Sequence, residues 1–434
     1  MTYSGEGEQI MATAVGSTPS IPWWKEPTKD QWTAWWAAWL GWTLDAFDFT
    51  IFLLIMVPIA QEFKVPFPAV TAVFAITLWM RFVGAVASGW LADRVGRKIP
   101  LMISILWYSI CNFIAGFSPS FAFLFFFRAL LGIGMGAEWP AGMALAMETW
   151  PARSRGLMAS VLQGSWAIGF LMSSAFYGLF YNSVGWRGCL WVGILPALVV
   201  FWVRKYVKEP EVWQANRQKQ RAQNREVHLP LLAIFKRGNI VNTLTCCWWM
   251  ASAFTVYYSI FGLFATHLQK DLALSAALVA VPLMFSNAAT FVASFVWGWV
   301  ADVVGRRWAM IIPAVIALAV APTYLLTNDY LTVAIGFSVQ GLFGGAIYGQ
   351  NPSYLAERFP TEVRATASGF CYHVGAIVAG FVAPVLSYIA ISYNVGFGIA
   401  MLVGTMVGLI SFVICLLLGP ETKGQVFVSD VVVT

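Results

Sequence analysis

Five ionisable side chains fall inside stretches otherwise too apolar to carry them: Asp45, Asp48, Arg81, Arg128 and Glu138. A charge in a bilayer core costs a few kcal/mol or more, so each is expected to be paired, to face water or to give up its charge, and each is a functional candidate on that ground. Asp45 and Asp48 are three positions apart, on one face of a helix, where two carboxylates do not easily ionise together. A carboxylate that takes and releases a proton as its access to water alternates is what proton coupling requires. The structural alternative, a capping or salt-bridging aspartate near the membrane edge, fits Asp45 better than Asp48. Arg81 cannot shed its charge and offers a planar fork that matches a carboxylate, so it is the candidate anchor for an anionic substrate. Its alternative is a fixed internal pair with Asp48 or Glu138. Glu138 precedes Trp139 and Pro140, where proline frees a carbonyl and kinks a helix, and it is read as a second proton carrier or an arginine partner. For Arg128 the alternative is a bidentate pair with a neighbouring carboxylate. All five are expected to open onto one water-filled hollow at half depth.

These groups need a scaffold, and composition names its class. With 59% hydrophobic and 11% charged residues in 434, the chain lacks the polar surface of a water-soluble globule. Length and hydropathy predict about twelve spans, near residues 34–60, 69–92, 100–117, 120–145, 157–181, 187–206, 239–267, 275–300, 308–327, 330–354, 366–390 and 395–418. Strand alternation is absent, which excludes a barrel. The net charge of +6 would suit a nucleic-acid binder, but its placement excludes one. On this span reading 21 of the 26 Lys and Arg fall on one side, three on the other (Lys64, Arg187 and Lys270) and two in the membrane. The bias predicts both termini in the cytoplasm of a multi-pass protein of the inner or plasma membrane. The expected divisions are a segment over 1–33, a six-helix bundle over 34–206, a basic linker over 207–238, a second six-helix bundle over 239–418 and a tail over 419–434. Trp23, Trp24, Trp32, Trp35, Trp36, Trp39 and Trp42 crowd the first span and are expected to sit in the headgroup layer. The six cysteines lie in apolar runs without metal-knuckle spacing, and with three histidines the chain offers neither a metal site nor a cofactor motif. No nucleophile–base pair stands out, so it is not read as an enzyme.

The phrase from Gly89 to Lys98, GWLADRVGRK, returns 209 positions later as GWVADVVGRR from Gly298 to Arg307. Glu148 and Arg155 return as Glu357 and Arg364 at the same offset. Two boundaries repeated at one offset mean a doubled bundle, hence an all-α fold of two pseudo-symmetric six-helix halves. Glycine allows a tight turn and close helix approach. Asp93 can accept from a helix N-terminus or pair with Arg94, Arg97 and the arginines near Glu148.

The repeated phrase, together with Arg128, Gly132, Gly134 and Gly136, resembles the major facilitator superfamily from about Trp32 to Glu421. Trp42 to Phe49 and Gly136 to Trp139 look most like its metabolite:proton symporters of the sialate and lactate type. The resemblance implies alternating access. It also implies a conformational latch formed by Gly89, Asp93, Arg94, Gly96, Arg97, Glu148, Arg155, Asp302, Arg306, Glu357 and Arg364, and a part for Arg128 in proton transfer or gating. Val303 stands where the first half has Arg94, so the second loop is expected to latch more weakly.

The second half has no acid clearly within a span; instead Tyr257, Asn287, Gln350, Asn351 and His373 are its candidate substrate contacts. The resulting expectation is a proton-coupled transporter, working as a monomer in the lipid bilayer, that imports a small organic anion such as a lactate-like monocarboxylate, sialate or an aromatic acid. Proton and anion together form a neutral load, which avoids about 2.3 kcal/mol per 100 mV of membrane potential. Two alternatives stand beside it, an antiporter exporting amphipathic compounds and a non-transporting sensor of the same fold. No phosphate-cradling glycine loop supports primary transport, and sodium is the alternative coupling ion.

Overall fold

In a hydrocarbon layer a backbone has no water to bond, so segments this apolar must satisfy their own N–H and C=O groups as helices. The structure, a computed structural model, describes residues 22–65, 67–222, 230–264, 267–268, 271–274 and 276–425. Lys270, most of the segment over 1–33, part of the basic linker and the end of the tail lie outside the described residues. The first half comprises α1 (Lys29–Phe63), α2 (Phe67–Val95), α3 (Lys98–Ala115), α4 (Phe121–Thr149), α5 (Arg155–Trp191) and α6 (Ala197–Tyr206). A short helix α7 (Glu211–Ala222) follows. The second half comprises α8 (Ile240–Ile260), α9 (Ala276–Val304), α10 (Arg306–Leu325), α11 (Tyr330–Gly344), α12 (Asn351–Arg358), α13 (Arg364–Ser392) and α14 (Gly396–Leu418). Among the described residues, eleven segments are long and apolar enough to cross a membrane, α11 and α12 counting together across a break at Ala346–Tyr348. Helix α8 has the length for a twelfth crossing, 21 residues, with Trp248, Trp249, Tyr257 and Tyr258 among its apolar positions.

Local chemistry sets the ends. Thr28 and Gln31 form a reciprocal capping box at the start of α1: the Thr28 hydroxyl accepts from the Gln31 amide and the Gln31 side chain accepts from the Thr28 amide. The turns after α2 and α9 each pivot on a glycine in the left-handed region, Gly96 at φ 111° and Gly305 at φ 107°, so the sequence duplication is a backbone duplication as well. Helix α5 is kinked at Gly185, beside the boundary between the crossings Ala152–Tyr181 and Ser183–Tyr206, in keeping with the two expected spans.

The halves meet where α2 packs on α13 and α5 on α9. Within the first half, α1 packs on α5 and α2 on α4. The headgroup expectation fails for Trp35 and Trp42, which are 2% and 3% exposed. Trp35 donates its indole N–H to the Met158 carbonyl at 3.1 Å, and Trp39 donates to Val161 at 3.2 Å, so these rings join α1 to α5 instead of meeting lipid headgroups. Packing of α4 on α2 depends on missing side chains. A Cβ at Gly136 would stand 1.8 Å from the Arg81 carbonyl oxygen, and one at Gly84 would stand 1.8 Å from that of Ile133.

Gly136→Val is therefore expected to cost at least about 1–3 kcal/mol by forcing these helices apart. A detergent melting curve checks it: the variant should melt well below the parent, whereas Val83→Leu, at a half-exposed position on α2, should not.

Candidate functional site

A cavity lies between the halves. Arg81 on α2, with Gln163 and Trp166 on α5, forms its first-half wall. Tyr257, Asn287 and His373, from α8, α9 and α13, are among the second-half residues facing them. Arg81 is 5% exposed. Its Nη2 donates to both oxygens of Asp45, at 2.6 and 2.8 Å, and its guanidinium lies 4.7 Å from the Phe49 ring centre and 5.5 Å from that of Trp166. Its Nε has no partner. The internal partner is thus Asp45 and not Asp48 or Glu138, because Asp45 is the α1 acid that faces α2 at the depth of Arg81.

The other first-half groups do not open onto that cavity, which corrects the expectation of one shared hollow. Asp48 is fully buried, with Arg128 as its compensating charge and the Asn112 side chain beside it. Arg128, equally buried, donates Nη1 to Asn112 Oδ1 at 3.2 Å and lies 4.1 Å from the Phe52 ring centre. Glu138 is 1% exposed and rests against α1 where Gly41 has no side chain: a Cβ there would be 2.5 Å from Glu138 Oε1. The unpartnered Tyr108 hydroxyl belongs to this compartment, with Glu138, Asp45, Asp48 and Arg81 as its charged neighbours. Glycine-mediated approach of α4 to α1 and α2 seals these groups inside the first half. The Asp45–Arg81 pair links the sealed compartment to the cavity.

Of the second-half candidates, Tyr257, Asn287 and His373 line the cavity. Tyr257 accepts from the Trp166 indole at 3.2 Å, and Asn287 donates to the Leu283 carbonyl at 2.9 Å. Gln350 and Asn351 are not among the lining residues. They follow the helix break after α11, and Gln350 donates instead to Ser160 Oγ at 2.6 Å and to the Gly156 carbonyl at 3.1 Å on the facing half.

Toward the signature loops the halves are clasped. Asp93 accepts from the Ala365 and Thr366 amides at 3.2 and 2.8 Å, at the start of α13. Asp302 accepts from the Gly156 and Leu157 amides at 2.9 and 2.8 Å, at the start of α5. Each signature aspartate thus caps a helix of the opposite half, where positive dipole and free N–H groups favour it. Arg97 bonds Asp93 at 3.0 Å and Glu148 at 2.8 Å, and Arg364 reaches Glu148 across the interface at 2.8 Å. Arg306, Asp302, Glu357 and Arg155 repeat the arrangement, with longer bonds of 3.3 Å to Glu357.

The Major Facilitator Superfamily model matches residues 38–288 and 251–429. The chain belongs to that superfamily. Relatives include a probable 4-methylmuconolactone transporter of Cupriavidus pinatubonensis, 29% identical with 93% of each chain covered. A sialic acid transporter of Escherichia coli is 25% identical over 93% of this chain and 98% of that one. A cis,cis-muconate transport protein of Acinetobacter baylyi is 24% identical over 84% and 89%. A solved proton:xylose symporter, XylE, superposes with a TM-score of 0.74 over 91% of this chain and 97% of its own, at 17% identity, a likeness of fold.

In this superfamily member two latch details depart from expectation. Arg94 takes no part in the ion pairs and instead lies 5.0 Å over its own Trp90 ring, so Val303 removes no latch contact. The second cluster is looser only at Glu357, where both arginines stand at 3.3 Å, while its Arg306–Asp302 bond of 2.6 Å is shorter than Arg97–Asp93 at 3.0 Å. Two further acids were missed. Glu209 accepts from the Arg97 and Lys98 amides at 2.7 and 2.9 Å, and Glu421 accepts from those of Arg306 and Arg307 at 2.8 and 3.0 Å. Burial pushes the Glu209 carboxyl above its usual value although both amides oppose the shift. Their signal was an acid beside proline just after the sixth and twelfth spans. Gln163 and Asn112 were missed too, although an uncharged amide inside a span was the clue that singled out Asn287.

Each cap is worth about 0.5–2 kcal/mol. Removing both with Asp93→Ala and Asp302→Ala should raise maleimide labelling of a reporter at Ser160→Cys by at least about tenfold in a background lacking the native cysteines. An unchanged rate would remove the clasp from the gating machinery.

Proposed function

We propose that the protein is a proton-coupled importer of a small organic acid anion, with the signature-loop face in the cytoplasm and the cavity as its substrate site. The observation that carries this reading is Arg81: it is the one guanidinium on the cavity wall among the described residues, and it engages Asp45 through Nη2 alone. A substrate carboxylate can take the unused edge of the fork. Doing so draws the guanidinium away from Asp45, whose buried charge then lacks compensation and is relieved by a proton. Asp48, one helical turn along α1, and Glu138 extend the route by which that proton enters or leaves. The aromatic wall and the names of relatives that carry muconate, muconolactone and sialic acid support an organic acid over a cation, which Arg81 would repel.

Alternating access follows from the clasp. With Asp93 and Asp302 seated on helices of the opposite halves, the cavity is shut from the signature-loop side, and rocking must break both caps together. Proteoliposome uptake of a radiolabelled acid panel, with and without an inward proton gradient, tests the whole reading. The parent should accumulate at least one acid above equilibrium only with the gradient. Asp45→Asn and Asp48→Asn should retain exchange down a concentration gradient and lose accumulation; undiminished accumulation in both would remove the coupling assignment. Arg81→Lys should weaken binding of carboxylates about tenfold or more while sparing their neutral amides. Equal loss for both would remove the anchor.

A further inference from the structure

We infer that the transported acid carries a hydrogen-bond donor, a hydroxyl or N–H, at the end away from its carboxylate, and that His373 and Gln163 receive it. The inference rests on the reading of Arg81 as carboxylate anchor and adds a second recognition point to it. His373 Nδ1 lies 3.0 Å from the Gly369 carbonyl oxygen. A carbonyl only accepts, so Nδ1 holds the ring hydrogen and Nε2 presents a lone pair. That Nε2 is buried without a partner, on a ring that is 1% exposed and lines the cavity.

Gln163 tells the same story from the first half. Its Oε1, on a residue 9% exposed, has no partner, and its side chain lies beside Tyr372 on the same wall. The unmet groups on the cavity wall therefore divide by type: a donor at Arg81 Nε, acceptors at His373 Nε2 and Gln163 Oε1. Their complement is a molecule with acceptor oxygens at one end and a donor at the other. An acid without that donor leaves buried acceptors unmatched, the situation in which binding sites discriminate most strongly. Because Arg81 and Gln163 belong to the first half and His373 to the second, the same donor would draw the halves together around the right acid.

Competition binding to the purified full chain, using benzoate against 3- and 4-hydroxybenzoate and butanoate against 4-hydroxybutanoate, tests this. At least one hydroxy acid should bind about tenfold or more tighter than its parent. His373→Phe and Gln163→Leu should each reduce that ratio. If every hydroxy acid binds no better than its parent, or both variants keep the full ratio, the donor requirement is overturned while the carboxylate anchor stands. If no carboxylate binds at all, both fall. The parent protein alone decides the first point, so a variant that does not fold leaves the inference testable.

Discussion

A guanidinium buried between two half-bundles, with a single nitrogen given to a carboxylate, is the constraint around which the rest is arranged. Arg81 cannot neutralise itself, so something anionic must always face it. In this structure that partner is Asp45, and the cavity beside the pair supplies the place where another anion can stand. A buried pair of this kind is a poor source of stability, since desolvation offsets most of the attraction. It is well suited to exchange of partners.

The surrounding features follow from keeping that exchange tight. Glycines on α4 bring its backbone against Arg81, fixing the guanidinium on a rigid element instead of a loop. The same close packing encloses Asp48, Glu138 and Arg128 inside the first half, apart from the cavity lining. On the signature-loop side, two aspartates capping helices of the opposite half hold the bundles together by bonds that break as a set when the halves part. At the depth of the cavity, the buried acids and guanidinium groups among the described residues thus stay in one half. The other half contributes rings, amides and a histidine.

The fold was legible because a bilayer leaves so few solutions: apolar runs of fixed length become helices, and a phrase repeated at a fixed offset becomes a repeated bundle. The turn glycines Gly96 and Gly305 and the clasp of Asp93 followed from residue chemistry for the same reason. Direction was much less legible than depth. Asp45 and Asp48 share a helix face, yet only Asp45 meets Arg81, because the choice depends on how α1 is rotated against α2 and α4. Gln350 and Asn351 looked equivalent to Asn287 as amides in a span, but past the helix break after Gly344 Gln350 bonds across the interface instead. Trp35 and Trp42 were read by residue type as interfacial, whereas contact with α5 decides their place. Glu209 and Glu421 cap helices far from them in sequence, and the acid beside proline marks the residue without revealing its distant partner.

The central claim is that an anion arriving at Arg81 is matched by a proton taken up inside the first half. Isothermal titration of the purified protein with a transported acid, repeated near neutral pH in buffers of different ionisation enthalpy, counts that proton directly. About one proton taken up per anion bound is the predicted result. A binding heat that does not change with the buffer, meaning no proton moves, would contradict the account.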